Sequence, residues 1–404
     1  MTEGLVERLG RAFALTGTGD VLIGRDTRAS GLPLEAALAR GIVSGGVGAR
    51  LGGVLPTPAV ALLADGRGAV VSASHNPPEY NGVKFFHAGS KLSDEDEEAI
   101  EAHLDDSSRP AAGEAVAEEH GLTERYVELV CERFGAPLGE LRVALDCANG
   151  AMYEATPEAF RRLGTHVVMI GNEPDGANIN VGCGATDLRL LSRTVAAGDF
   201  DLGVAFDGDG DRMLAVDGTG AALDGDQIVA ILALHLGVEL VAVTRMTNLG
   251  FHRLMQERGI RVVTTDVGDR YVLEALREKG GVLGGEQSGH IIYLQGHCTG
   301  DGLVAALLLC RAVLEQGRPL SELATIMPKY PQETRNVAVR TKTISEVVIR
   351  EVEALNEELG ESGRVLVRPS GTEPVIRILA EAETSRIAGS LCARISSLVL
   401  RELG

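Results

Sequence analysis

The sequence predicts an α/β protein of three similar mixed-sheet domains followed by a smaller α+β domain. Three observations carry this expectation. A unit of β-branched run, polar or glycine-rich loop, amphipathic helix, glycine and second apolar run occurs three times. The 404 residues exceed what a single hydrophobic core serves. With 51 glycines, 3% aromatic residues and no Trp, the cores must be built from Ala, Val, Leu and Ile between many turns.

In chain order, the first unit is the run 21–23, the loop GRDTRASG, a helix over 33–44 and the run 49–55. The second is 143–145, the loop DCANGAMYEA, a helix opening at Pro157 with Thr156 as its N-cap, and 167–170. The third is 241–243, the loop TRMTN, a helix over 249–258 with Asn248 as N-cap, and 261–264. Gly164 and Gly259 suit the left-handed residue that ends a helix. A strand, crossover helix and second strand make parallel neighbours, because parallel pairing needs a long connection. A helical run over 94–104 leads into the polar stretch 105–119, an expected domain boundary. Residues 335–343 are the expected linker to the last domain. That domain reads as helix 345–359, strands 364–367 and 375–380, and helix 385–400. The expected domains are 1–125, 126–226, 227–335 and 336–404.

Charge and cysteine usage exclude several function classes. Lys and Arg number 38 against 57 Asp and Glu, a net charge of −19, which repels nucleic acid and anionic membranes. A phosphorylated small molecule must therefore be met by local basic residues and metal. Cys131, Cys147, Cys183, Cys298, Cys310 and Cys392 show no paired spacing, which argues against a zinc site or disulfide scaffold and for free thiols in a reducing compartment. The opening MTEGLVERLGRAF carries acids and no signal-peptide core. The apolar stretches 228–243 and 302–314 are too short to span a bilayer. The expected location is the cytoplasm.

Four loops carry chemistry. In DGDGDR after the run 202–206, Asp207, Asp209 and Asp211 alternate with glycines, so three carboxylates can converge on a hard divalent cation such as Mg²⁺. A calcium-binding EF-hand is excluded, since Arg212 and Gly218 stand where Gly and Glu are required. A solvated acidic turn is the plain alternative. Arg212 beside the acids points to a phosphate near the metal. SASHNP follows the buried run 69–71, at a strand end where α/β proteins bind ligands. Ser74 there is flanked by His75 and Asn76, with Lys84 ten residues on. No GxSxG elbow supports acyl transfer, and phosphoryl transfer fits the metal loop better. RPSGTEP offers the Arg368 fork with Ser370, Gly371 and Thr372 as an anion nest, or a plain hairpin turn. GGEQSGH presents Glu286, Ser288 and His290, which suit sugar hydroxyls or make an ordinary polar loop; His290 can also exchange protons. GRDTR at 24–28 and GDR at 268–270 are further polar loops after strands.

Taken together, SASHNP, DGDGDR, GEQSGH and RPSGTEP resemble the four loops of the α-D-phosphohexomutase superfamily, and the resemblance covers nearly the whole chain. SASHNPPEYNGVKFF, VALDCANGA, PDGANINVGCGATD, MTNLG, VGDRYV and TGDG are most like its bacterial phosphoglucosamine mutase branch. The resemblance implies four domains around a central cleft. It implies Ser74 carried as a phosphoserine, with Mg²⁺ held by its phosphate and by Asp207, Asp209 and Asp211. It places Lys84 near the phosphoserine and His290 near the sugar. Either can then move the hydroxyl proton, Lys84 only with a depressed pKa. Glu286 and Ser288 are implied as sugar contacts, with His75 also on the substrate side. Arg368, Ser370, Gly371 and Thr372 are implied as the clamp for the distal phosphate.

The implied reaction interconverts glucosamine 6-phosphate and glucosamine 1-phosphate through a 1,6-bisphosphate, on the way to UDP-N-acetylglucosamine and cell-wall precursors. A sugar 1,6-bisphosphate is the implied activator, and a homodimer through the first domain the implied assembly. Members of the superfamily begin with a segment like FGTDGIRG, whose Arg reaches the phosphoserine; here MTEGLVERLG aligns with the helix after it. Two alternatives stand beside the main expectation, the first differing only in which sugar the GEQSGH loop accepts and the second following from that departure. One is a phosphomannomutase or phosphoglucomutase, and the other an inactive sugar-phosphate-binding protein.

Overall fold

Among the described residues four β-sheets organise the chain, and the first three share one strand order. The computed structural model describes residues 1–105, 115–370 and 373–404. The chain divides into two compact units, Met1–Met246 with Ile260–Ile326, and Thr247–Gly259 with Met327–Gly404.

The first sheet is built from α1 (Glu3–Leu15), β1 (Val21–Arg25), α2 (Gly31–Ser44), β2 (Ala49–Val54), α3 (Thr57–Leu63), β3 (Arg67–Val71), β4 (Val83–His87), β5 (Ser90–Lys91), α4 (Asp94–Ala102) and β6 (Val116–Glu118). Its order is β5-β4-β3-β1-β2-β6. β1 lies parallel to β2 and β3, whereas β4 turns back antiparallel on β3. Phe13, Val21, Ile23, Leu38, Ile42 and Val71 bury the apolar faces in one core; each such side chain stabilises by roughly 1.5–3 kcal/mol relative to exposure.

The second sheet adds α5 (Leu122–Phe134), β7 (Arg142–Asp146), α6 (Met152–Arg162), β8 (His166–Ile170), α7 (Arg189–Ala197), β9 (Leu202–Phe206), β10 (Met213–Asp217) and β11 (Ala222–Leu223), in the order β11-β10-β9-β7-β8. The third comprises α8 (Gly225–Leu236), β12 (Leu240–Thr244), α9 (Leu249–Glu257), β13 (Arg261–Thr265), α10 (Asp269–Lys279), β14 (Leu283–Gly285), β15 (Ile291–Tyr293), α11 (Gly302–Gln316) and α12 (Leu320–Ala324), in the order β13-β12-β14-β15. In all three sheets the first strand is central. Its parallel partners lie on both sides, and an antiparallel strand follows the third.

Expected helix ends were met at Asn248, whose side chain accepts the Gly250 N–H, and at Gly164 and Gly259, with φ of +81° and +69°. The expected start at Thr156–Pro157 is corrected: α6 begins at Met152 and carries Pro157 inside it. Its first turn is served from elsewhere, the Ala151 N–H donating to the Gly208 carbonyl at 2.8 Å. A capping partner so distant in sequence leaves no local signal.

The C-terminal sheet is β16 (Gln332–Ala338), β18 (Val375–Ala382) and β17 (Gly363–Pro369), all antiparallel in that order, with α13 (Glu346–Leu359) and α14 (Ser385–Leu403). The expected linker at 335–343 is therefore corrected in its first part. Residues 332–338 pair along their whole length with β18, and their polarity reflects an edge strand largely open to water. Expected divisions at 125/126, 226/227 and 335/336 fall inside α5, α8 and β16. Part of the polar stretch 105–119 is β6, parallel to β2; residues 106–114 lie outside the described ones. The crossover helix α9 belongs to the C-terminal unit, where buried Glu381 accepts the Leu249 N–H (3.1 Å), the Gln332 amide (2.8 Å) and the Arg364 guanidinium.

The start of α11 ties the second and third sheets together. Asp301 caps it through the N–H groups of Leu303 and Val304. The same carboxylate accepts the Tyr126 hydroxyl from α5 at 2.9 Å and lies 3.0 Å from His297 Nε2. All three side chains are buried. Asp301→Ala is expected to lower the unfolding free energy by about 3 kcal/mol, one lost cap plus one buried hydroxyl left without its acceptor. A urea titration reads this as a fall in midpoint, and an unchanged midpoint would contradict it. Among the described residues no helix is long and apolar enough to cross a membrane.

Candidate active site

Each chemically equipped loop occupies the same place in its sheet. Residues 72–82 join β3 to β4, residues 207–212 join β9 to β10, and residues 286–290 join β14 to β15. All three are hairpins leaving the carboxyl end of a buried parallel strand, where ligands approach an α/β sheet.

In the first hairpin Ser74 takes a left-handed backbone, φ +51°. Its N–H donates to Ser72 Oγ at 2.9 Å, and its own Oγ donates to Asp207 Oδ2 at 2.5 Å. His75 is exposed, with Nδ1 3.4 Å from Ser74 Oγ. Lys84, on β4, carries Nζ to 2.6 Å from Asp209 Oδ2 and 3.0 Å from Asp211 Oδ2.

The second hairpin folds tightly, the Gly210 N–H donating to the Asp207 carbonyl at 3.1 Å. Gly208 has no room for a side chain, since a Cβ would stand 2.6 Å from the Ser74 carbonyl oxygen. Asp207, Asp209 and Asp211 are buried, and each offers an oxygen within 4.8 Å of the others. Thr57, at the start of α3, donates to Asp209 Oδ2. Asp209 Oδ1 and Asp211 Oδ1 are buried with no hydrogen-bond partner. Buried carboxylate oxygens left without donors are costly, and three converging hard oxygens suit a divalent cation such as Mg²⁺. The residues present fit the metal.

The third hairpin is drawn onto the second. Gly289 accepts the Met213 N–H at 3.0 Å, and Arg212 and His290 form an antiparallel bridge. His290 is buried, with Nδ1 3.6 Å from Asp211 Oδ1 and Nε2 3.4 Å from Asp269 Oδ2. Glu286 is half-buried and accepts the Gly268 N–H at 3.1 Å, while Ser288 is exposed. A cavity of about 600 Å³ opens beside His290, lined also by His87, Lys91, Asp269, Arg270 and Arg277.

The charges set the proton chemistry. Burial alone would lower the pKa of Lys84, but Asp209 and Asp211 outweigh it and raise it far above the ordinary amine value. Lys84 is thus held as an ammonium, the opposite of the depressed pKa that base catalysis by it requires. Burial, with repulsion from Asp209 and Asp211, raises Asp207 to about 7. Asp211 is held well below the usual carboxylate range, since Lys84, Lys91 and His290 outweigh its burial. His290 is raised, its burial overcome by Asp269 and Asp211. His75, although its surface is largely open to water, is lowered by partial desolvation beside the cluster and by the positive charge of Arg212.

The structure thus gathers Ser74, Lys84, Asp207, Asp209, Asp211, Arg212 and His290. Sequence reasoning missed Thr57 and Lys91, and read Asp269 only as part of a polar triplet. Lys91 pairs with Asp269 and stands 3.6 Å from Asp211. None of these has a local motif, because each meets its partner only through the fold.

In the C-terminal unit Arg368 lies on β17 opposite Arg377. Ser370 is buried, with its N–H on the Val375 carbonyl at 2.9 Å and its own carbonyl accepting Lys342 Nζ at 3.0 Å. Gly371 and Thr372 lie outside the described residues.

Four segments match the phosphoglucomutase/phosphomannomutase family: its α/β/α domain I over 1–110, domain II over 119–220, domain III over 224–330 and its C-terminal domain over 329–398. A phosphoglucosamine mutase of Pelotomaculum thermopropionicum is 47% identical over 399 residues, 94% of this chain and 90% of the relative. One of Moorella thermoacetica is 48% identical over 402 residues, 93% of this chain and 90% of the relative. A phosphoglucomutase/phosphomannomutase family protein from Burkholderia thailandensis superposes with TM-score 0.86 at 24% identity, covering 100% and 94% of the two chains. An Aspergillus fumigatus N-acetylphosphoglucosamine mutase, solved with GlcNAc-6P and magnesium, superposes with TM-score 0.70 at 18% identity over 99% and 94%.

Proposed function

The chain belongs to the phosphoglucomutase/phosphomannomutase family, and from that premise we infer that it interconverts glucosamine 6-phosphate and glucosamine 1-phosphate through a phosphorylated Ser74. One observation carries the mechanism: Ser74 Oγ lies 2.5 Å from Asp207, within a buried cluster of three carboxylates and an ammonium. The glucosamine substrate rests on the named relatives at 47% and 48% identity.

In this reading the phosphoryl group on Ser74 passes to the free hydroxyl of the sugar phosphate. The P–Oγ bond breaks as the new P–O bond forms, and the proton lost by the sugar hydroxyl is balanced by one gained at Ser74 Oγ. The bisphosphate then presents its other end, and the reverse transfer restores the phosphoserine. Asp207, Asp209 and Asp211 would hold Mg²⁺, which when bound supplies positive charge to the transferring oxygens. Lys84 and Arg212 add fixed positive charge to the developing anion. His290 exchanges the hydroxyl proton, and Asp269 and Asp211, which outweigh its burial and raise its pKa, favour the protonated ring. Glu286 and Ser288 contact the sugar, His75 borders it, and Arg368, Ser370, Gly371 and Thr372 hold the distal phosphate. A cytoplasmic location accompanies this reading, since a charged sugar phosphate stays in the compartment where it is made.

The test is turnover with Mg²⁺ and a catalytic amount of a sugar 1,6-bisphosphate, comparing glucosamine, glucose and mannose phosphates. The expected result is a preference for glucosamine phosphate of at least about tenfold, a gap that one polar contact to the amino group supplies. A preference for glucose or mannose would reassign the substrate. No turnover by folded protein would remove the mutase reading.

A further inference from the structure

We propose that Arg28 and Asn180 are positioning residues that hold the Ser74 carbonyl from two sides and so aim the Ser74 hydroxyl at the metal-binding carboxylates; this rests on the phosphoserine reading above. Arg28 is among the largest fully buried side chains, and it makes no contact with solvent that would account for its charge. Its guanidinium is spent on the hairpin that carries Ser74. It donates to the carbonyls of Ser74 (3.0 Å), Asn76 (2.8 Å) and Tyr80 (3.0 Å), and to that of Pro77. Buried Asp26 supplies its counter-charge at 2.9 Å. The other duty of that carboxylate is to accept the Ser72 hydroxyl at 2.6 Å, and Ser72 Oγ in turn accepts the Ser74 N–H.

Asn180 approaches from the second sheet. Its Nδ2 donates to the same Ser74 carbonyl at 2.9 Å and to that of Asn76 at 3.1 Å. Gly208, in the metal loop, closes the third side. A serine at φ +51° sits in a region that L-residues avoid, a strain that its surroundings must offset. Both the N–H and the carbonyl of Ser74 are occupied by this frame, which leaves Oγ directed to Asp207. Five guanidinium donors in a planar fork can reach several carbonyls together, whereas an ammonium on a flexible stem cannot.

The step to measure is phosphorylation of Ser74 by glucose 1,6-bisphosphate. A sugar P–O bond breaks, a P–Oγ bond forms, and the Ser74 proton passes to the sugar oxygen. Incorporation is followed by intact mass on the full chain, alongside steady-state turnover. Arg28→Lys is expected to slow incorporation and kcat about 100-fold, the effect of misplacing a reacting atom by roughly an ångström, with KM unchanged. Asn180→Gly keeps the backbone freedom that its φ of +60° requires and removes only the amide; it is expected to slow both about tenfold. Because both act on one carbonyl, the double variant should lose less than the product of the single losses. Losses that multiply, a rise in KM with kcat intact, or incorporation at the unaltered rate in either folded variant would overturn the proposal. Should Arg28→Lys fail to fold, Asn180→Gly decides alone. If the unaltered chain takes up no phosphoryl group, the phosphoserine reading itself falls, and this proposal with it.

Discussion

Ser74→Ala is expected to abolish mutase turnover, by roughly four to six orders of magnitude, while sugar-phosphate binding survives. The reason is chemical. Among the described residues, Ser74 Oγ is the hydroxyl that lies at 2.5 Å from a carboxylate of the three-acid cluster. Thr57 also reaches the cluster, but it is buried at the start of α3 and already committed to Asp209. Among the described residues no further hydroxyl bonds to the three acids. The backbone accepts the change at some cost, since alanine at φ +51° is strained as serine is. Two measurements separate the possible outcomes. Intact mass should show no phosphoryl uptake by the variant, and calorimetric titration with glucosamine 6-phosphate should still show binding. Turnover that persists would refute a phosphoserine mechanism.

Asp207→Asn is expected to cost at least about a thousandfold in kcat, because it removes one ligand and weakens the charge that faces the transferring group. Its effect on stability should run the other way. Asp207 is raised to about 7 by burial and by repulsion from Asp209 and Asp211, so its ionised form is penalised in the folded chain. The sign follows from linkage. A carboxyl with a raised folded pKa binds its proton more tightly folded than unfolded, so the contribution of Asp207 to metal-free stability falls as pH rises from about 4 towards 7. Without Mg²⁺ at pH 8, the asparagine variant should therefore melt higher than the unaltered chain. On adding Mg²⁺, the unaltered chain should gain stability and the variant should gain little. A chelator should silence the unaltered enzyme reversibly. If the variant melts lower without metal, or gains as much from Mg²⁺, then Asp207 is not part of a cation site.

Three of the loops were legible because each is a contiguous hairpin, and its neighbours in sequence are its neighbours in space. SASHNP, DGDGDR and GEQSGH each follow a short apolar run that proved to be the third strand of its sheet. The three repeated units were legible from spacing, since strand, helix, glycine and strand are local properties. What escaped depends on contacts far along the chain. The start of α6 is served by Gly208, so its cap could not be read near Pro157. β16 lies at an edge and keeps a polar sequence, so its ladder with β18 left no alternation to read. Arg28 appeared only as the last residue of the polar loop GRDTR, because most of its partners are backbone carbonyls that have no residue signature. Lys84 was found, but its charge state was not, since that is set by two aspartates more than a hundred residues away.

The placement of the reactive hairpins has a consequence for redesign. Each is anchored at both ends by paired strands, β3 with β4, β9 with β10 and β14 with β15. Lengthening such a loop adds little closure entropy, about 0.6 kcal/mol for each doubling. The three hairpins nevertheless differ in how freely they can be exchanged. Residues 72–82 are bound through Arg28 and Asn180, and residues 207–212 are locked by the absence of space at Gly208. Residues 286–290 touch the metal hairpin chiefly through Gly289 and His290, while Ser288 points to water. The third hairpin is seated too, its Gln287 carbonyl accepting the Gly225 N–H at 3.0 Å, so Ser288 is its position most open to exchange. On the proposed mutase reading, varying Ser288, with Gly289 and His290 retained, is the economical route to a different sugar.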